Sequence, residues 1–464
     1  MAATDVYGFY EIMSELDTSK RIVYTGVNAE YTPLTFERTS GSVNYGKAIY
    51  NDWVNFPLFA TNKPFMVKSD GSADYQLDED DYTKKAEDGS ASDVNNVNYN
   101  GGAFAWIQKI YRKQWIEDDK RYVNFCMTKL DDSYHADGFI GPNNEELDGI
   151  WVPMFYGTVV EESSVSKLKS IAGDTELNNG TNMNTSIAYL SNISPTKGRI
   201  FGGPIISVIG DLLTMFAKSQ DTVESYGYGY ALGSGNVPHN NVVDGGRFYC
   251  TKTGSALNKI LHSIVLGTYV LDVQDPYIAE VGGKIYVSNN YTFSQDPVND
   301  YTYTGIDYAT EMSGTEKLGN YLYFKNIDGF GCIVSDESEE KGSSQWNDAS
   351  TDMFRSSTNS ASTIVNGAGR LGRMGVSTYR DYGKSGYRYM RFEWTNTYAG
   401  VHSVITPMML PADPPVIVKY LSEVKLPNDE VLYKLRDSIF AKLGLGIQNG
   451  QVVQTYLVDE EEGE

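Results

Sequence analysis

Hydrophobic positions in this chain recur mostly with the period of a strand. From residue 387 to 394, Met390, Phe392 and Trp394 fall on one face, with Arg388 at its margin. Tyr387, Tyr389, Arg391 and Glu393 fall on the other. This alternation predicts a strand with one buried face and one polar-aromatic face. GGAFAWIQKIY, residues 101–111, predicts a strand that offers Phe104, Trp106 and Ile110 to a core. IWVPMFY, residues 150–156, is a near-continuous apolar run and predicts a buried strand, with Pro153 marking an edge or a bulge. Residues 21–24 and 43–45 are β-like, and Ser40-Gly41-Ser42 is a turn. One segment has clear helical spacing. Ile205, Ile206, Val208, Ile209, Leu212, Leu213, Met215 and Phe216 predict a core helix over residues 204–219. Pro204 suits its first turn, and Lys218 suits the last turn, where the dipole favours a cation. Residues 258–266 fit a short helix or a strand equally.

Turn residues divide these elements. Asp70-Gly71 and Asp88-Gly89 punctuate a turn-dense stretch, residues 63–96. The acidic cluster at 78–81 lacks EF-hand spacing and is expected to be solvated. YGYGYALGSGN, residues 226–236, has no strand–loop–helix context with a following Lys, so it reads as an irregular loop. Ser-rich residues 335–362 read as a long surface excursion. Beyond Pro411 the character changes. Pro414-Pro415 punctuates the chain, and residues 416–421 predict a strand. Asp429 caps an expected helix in which Leu432, Leu435, Ile439 and Leu443 share a face, with Gly444 as its stop. A turn at Asn449-Gly450 leads to a strand over 452–458 and a disordered acidic tail. No fixed internal repeat is evident. The expected division is a β-rich segment (1–60), a main α+β domain (61–413) and a small strand–helix–strand unit (414–464) for docking or oligomerisation.

Composition narrows the function. The 464 residues include 35 Tyr and 45 Gly but only 15 Pro, a loop-rich, β-leaning balance. A net charge of −22 argues against nucleic acid and acidic membrane surfaces, which need clustered Lys and Arg. Cys126, Cys250 and Cys332 are too few and scattered for a disulfide framework, and no CxxC pair suggests zinc. Residues 1–10 have no basic or apolar leader region, so no secretory signal is expected. No run approaches the roughly 18 apolar residues of a membrane span.

Catalytic motifs are also missing. His135, His239, His262 and His402 are dispersed, with no HxH or HExxH arrangement. No Gly-x-Ser-x-Gly elbow is present. Two carboxylates suffice for a glycosidase, so a polysaccharide hydrolase stays as a minor alternative. The chain is expected to be no enzyme, with no cofactor and no metal. Residues 379–398 are instead dense in Tyr and Arg, the residues that dominate binding hot spots.

The order of several motifs resembles tailed-bacteriophage virion proteins with a C-type-lectin-like domain, related to formylglycine-generating-enzyme-like folds. This group includes tail-fibre and tropism-determining proteins. The motifs are VYGF (6–9), KPFMVKSDGSADYQLDEDDYTKK (63–85), SDVNN (92–96), GGAFAWIQKIY (101–111), IWVPMFYGT (150–158), KLKSIAG (167–173), DLLTMFAKSQDTVESYGYG (211–229) and NTYAGVHSVITP (396–407). The typical Gly-Gly-x-Trp strand is represented only by NGAGR at 366–370, without Trp, and the final Gly-Phe-Arg-like strand by AGVH at 399–402. Residues after Pro414 lie outside the resemblance. Oxygen-dependent relatives bind copper through a late cysteine pair, whereas no cysteine follows Cys332 here, so that activity is expected to be absent. The resemblance implies a rigid scaffold with an adaptable face for host-surface glycan or protein. Carried over by position, that face comprises Tyr379, Arg380, Tyr382, Tyr387, Tyr389, Arg391, Asn396 and Tyr398. It also implies a homo-oligomer in the virion, attached to capsid or tail proteins, while the few scattered cysteines suit folding in a reducing host cytoplasm. The alternative is a capsid-decorating, head-fibre or tail-assembly subunit without receptor binding, its aromatics packed on a neighbour.

Overall fold

The computed structural model describes residues 4–12, 15, 17–173, 183–219, 225–227, 246–251, 258–267, 272–281, 284–307, 317–319, 353–356, 370–375, 389–392, 403–416, 422–425, 431–434, 445–448 and 451–454. The fold is mixed, with strands predominating over helices.

An antiparallel sheet takes the spatial order Ile22–Gly26, Tyr7–Ile12, Lys120–Cys126, Tyr111–Glu117. Alternate residues Tyr7, Phe9, Ile22, Tyr24, Val123 and Phe125 are buried in the same core as the Pro204–Ala217 helix. Every residue from 204 to 216 in that helix is buried. Such all-round burial is expected of a helix that is apolar on most sides. Its last carbonyls are occupied from outside. The Tyr24 hydroxyl donates to the Met215 carbonyl oxygen (2.5 Å), and the Leu34 N–H donates to that of Phe216 (2.8 Å). Lys218 follows the helix as a left-handed cap (φ 53°), with Nζ 4.8 Å from the Tyr24 ring centroid. Trp53 is fully buried, its ring 5.2–6.3 Å from those of Tyr7, Tyr24, Tyr31, Phe56 and Phe216. One apolar cluster runs from Tyr7 to Leu410, so early and late parts of the chain share a core.

A second sheet has the order Gly198–Ile200, Pro407–Met409, Gly149–Pro153, Gly101–Gln108, Pro64–Lys68, Ala73–Gln76. The two apolar runs 101–111 and 150–156 therefore pair with one another, with Trp151 opposite Trp106. Pro153 is neither at an edge strand nor in a bulge. It ends an interior strand opposite Phe104, and its carbonyl oxygen accepts from the Ser263 hydroxyl at 2.6 Å. The Asp70-Gly71 turn joins the last two strands of this sheet, with Gly71 at φ +84°. Residues 258–266 use both expected forms, an Ile260–Ser263 bridge and then the short Ile264–Gly267 helix.

Two local expectations are corrected. Residues 43–45 form a turn, not a strand. The Ser42 hydroxyl accepts from the Asn44 N–H, and Gly46 adopts φ +85°, so local polar bonds outweigh the β-propensity of Val43 and Tyr45. The expected helix after Asp429 begins instead with a strand. Val431–Lys434 pairs antiparallel with Ser422–Lys425, and Leu445–Gln448 pairs with Gln451–Gln454. The β-branched and aromatic residues of VLYK favour a strand.

Candidate recognition face and its support

The Tyr389–Phe392 strand lies inside its sheet, parallel to Met353–Ser356 and antiparallel to Arg370–Gly375. The register places Arg391 opposite both Arg355 and Arg373. Leu318 and Gln274 extend this row at its two ends. The adjacent row is Gly319, Phe354, Met390, Met374 and Val273. Tyr389 lies two residues from Arg391, in a row with Met353 and Gly375. Because a strand has period two, the row of arginines and the row of Phe and Met belong to opposite faces. The alternation expected over 387–394 thus coincides with a strand at its centre. Tyr379, Arg380, Tyr382, Tyr387, Asn396 and Tyr398 lie outside the described residues. Sequence reasoning missed Arg355 and Arg373, which join Arg391 only through long-range pairing and carry no local signal.

This sheet is tied to the body through its Asp272–Val281 strand. Ser403–Val404 runs parallel to that strand, and the chain then enters the second sheet as Pro407–Met409. Between them, Thr406 Oγ1 accepts from the Gly157 N–H at 3.1 Å, and the Thr406 carbonyl oxygen accepts from the Phe201 N–H at 2.8 Å. Asp275 is fully buried where the pairing of its strand shifts register. Its Oδ1 accepts from the Tyr277 N–H at 2.9 Å and its Oδ2 from the Gly203 N–H, at the start of the central helix, at 2.5 Å. Burial pushes its carboxyl up to about 7 against the pull of those two donors.

The frame beneath is a buried ionic network. Asp211, in the middle of the central helix, accepts from Arg112 Nη1 at 2.7 Å and from Arg121 Nη2 at 2.8 Å. Arg112 Nε donates to Asp137 Oδ2 (3.0 Å) and its Nη1 to the Ser207 hydroxyl (3.1 Å). Arg121 also donates to Gln114 Oε1 (2.9 Å) and lies 3.7 Å from Glu11. Arg21 donates to Glu11 Oε1 through Nε (3.0 Å) and Nη2 (2.7 Å). Three guanidinium groups thus meet three carboxylates, all with side chains 0–1% exposed. Burial pushes the Asp137 carboxyl upward, while Arg112 opposes it. Each carboxylate is engaged by arginine, so this is a clamp across the first sheet and the helix, not an acid–base pair.

A second polar cluster borders a cleft of about 400 Å³ lined by Lys47, Tyr50, Asp78, Glu79, Asp80 and Arg247. Glu79 pairs with Lys63 and lies 3.3 Å from Arg247 Nη2 and 3.8 Å from His262 Nε2. Tyr82 donates its hydroxyl to the Gly246 carbonyl oxygen at 3.0 Å, leaving its oxygen to accept from His262 Nδ1, also 3.0 Å away. Burial holds the His262 imidazole well below its usual range, so it is neutral. With Glu79 already compensated by two cations, the cluster lacks a poised base and nucleophile. Among the described residues, no group of three or more His, Cys, Asp or Glu side chains could hold a metal ion. No described helix is long and apolar enough to cross a membrane.

No protein-family model, curated protein or solved structure matches this chain.

Proposed function

We propose that this chain is a structural protein of a tailed-phage virion surface, an appendage that displays a polar-aromatic face for a host-surface glycan or protein. In this reading the body is a C-type-lectin-like scaffold, assembled as a homo-oligomer and anchored to capsid or tail proteins. The order of phage-like motifs supports the virion assignment. The observation that carries recognition is the register of the arginines. Arg355, Arg391 and Arg373 stand opposite one another in three neighbouring strands, with Tyr389 on the same strand as Arg391. Like charges directly opposite weaken a sheet. A partner that supplies acceptor groups would offset that repulsion.

The test is binding of the purified protein to cells of the phage host. Tyr389→Ala and Arg391→Ala should each weaken binding by on the order of tenfold or more, with the circular dichroism spectrum unchanged. Wild-type binding by both variants would remove this face from the account. A second reading, an assembly subunit, is favoured by the paired strands beyond residue 416 and by the acidic sequence at 459–464. Deleting residues 415–464 should then abolish incorporation into particles. Normal incorporation of the truncated chain would end the docking role.

A further inference from the structure

A cleft of about 320 Å³ opens between the Met183–Ser191 helix, the edge strand Gly198–Ile200 and the 291–293 segment. Ile187, Leu190, Ile200 and Phe293 give it apolar walls, while Ser191 and Thr292 bring hydroxyl groups. Its far side is fixed. Tyr291 is buried at φ +58°, a strained conformation for an aromatic residue. The Tyr291 hydroxyl donates to the Gly138 carbonyl oxygen at 2.6 Å, and its ring meets that of Tyr277 edge to face at 5.3 Å. Arg199 supplies the charge. Its Nη1 is held by the carbonyl oxygens of Gly198 (2.6 Å) and Thr196 (3.1 Å). Among the described residues, no carboxylate lies within ion-pair distance of it. Four other partly or fully buried arginines, Arg21, Arg112, Arg121 and Arg247, each pair with an acid.

We infer that this cleft binds a monosaccharide-sized carboxylate, a uronic acid unit, with Arg199 as the anion-binding residue. The size suits a ligand of one or two rings, at the lower end of small-molecule sites. A guanidinium fork matches a carboxylate in the plane, and anchoring of one nitrogen by two carbonyls restricts its orientation before the ligand arrives. A sugar ring presents C–H faces to Leu190 and Phe293 and hydroxyls to Ser191 and Thr292. A bare anion would use none of those walls. This site uses none of Arg355, Arg373, Tyr389 and Arg391, so the inference does not rest on the proposed function.

Isothermal titration of the intact chain with sodium glucuronate, glucose and sodium acetate tests it. Glucuronate should bind saturably, and glucose and acetate at least tenfold more weakly. Arg199→Met, which keeps much of the aliphatic stem, should weaken glucuronate binding at least tenfold. Ser191→Phe, a change at an exposed residue on the cleft wall, should do the same with an unchanged thermal midpoint, and it serves as the test should Arg199→Met not fold. Equal binding of glucose or acetate would overturn the inference. So would wild-type affinity in either folded variant, or no saturable binding of glucuronate at about 10 mM.

Discussion

Replacing Asp211 with Asn tests the ionic frame at its centre. The change preserves size but removes the carboxylate that holds Arg112 at 2.7 Å and Arg121 at 2.8 Å, with all three side chains 0–1% exposed. Three guanidinium groups would then face two carboxylates. The amide nitrogen of Asn would also point a donor at groups that only donate. Removing one partner of a buried pair costs about 3–5 kcal/mol, because the remaining charge stays desolvated. In thermal unfolding of a chain of 464 residues that corresponds to a midpoint drop of about 3–5 °C. The Lys129–Asp132 pair is the control, since Asp132 is fully solvent-exposed. Asp132→Asn should leave the midpoint unchanged, as surface pairs contribute little. An Asp211→Asn protein within about 1 kcal/mol of wild type would refute the clamp, because a solvated network would behave that way.

Asp275 predicts a pH effect of definite sign. Its carboxyl is pushed up to about 7 by burial, above the ordinary value of 3.8, so the native state binds its proton more tightly. Its contribution to stability is complete below about pH 4 and is lost as pH rises through about 7. Three pKa units set an upper limit of about 4 kcal/mol. Denaturant titrations from acid to neutral pH should show this loss in wild type and not in Asp275→Asn; parallel profiles would exclude it. Gly71→Ala should destabilise by about 1–3 kcal/mol, since Gly71 has φ +84° and a Cβ there would lie 2.3 Å from the Leu410 carbonyl oxygen. Chemical denaturation measures this loss, and a stability equal to wild type would mean that the turn relaxes freely.

The parts of the fold legible in the sequence are those where apolar residues dominate one period. The 204–217 helix, the 101–108 and 149–153 strands and the alternation around Met390 and Phe392 are of this kind. The ionic frame was hidden because its residues imitate a solvent face. Ser207, Asp211 and Thr214 make a polar stripe on the helix, yet all three are buried. In the Tyr111–Glu117 strand the polarity is inverted, with Arg112 and Gln114 buried while Trp115 is only half-buried. Trp115 instead stacks on Tyr122 at 4.7 Å across the sheet, and Lys113 lies 5.4 Å from its ring centroid. Local pattern does not reveal that three distant carboxylates await those arginines. The same limit applies to the sheet that holds Tyr389–Phe392, where Tyr389 and Arg391 are visible locally but Arg355 and Arg373 join them only through register.

The central claim is that residues 379–398 form an outward recognition face on a virion. Electron cryo-microscopy of the intact particle tests it most directly. The account predicts that this stretch, with Tyr389 and Arg391, faces solvent at the outer edge of an assembled appendage. Finding it packed beneath another virion protein, or finding no copy of the chain in the particle, would contradict the account.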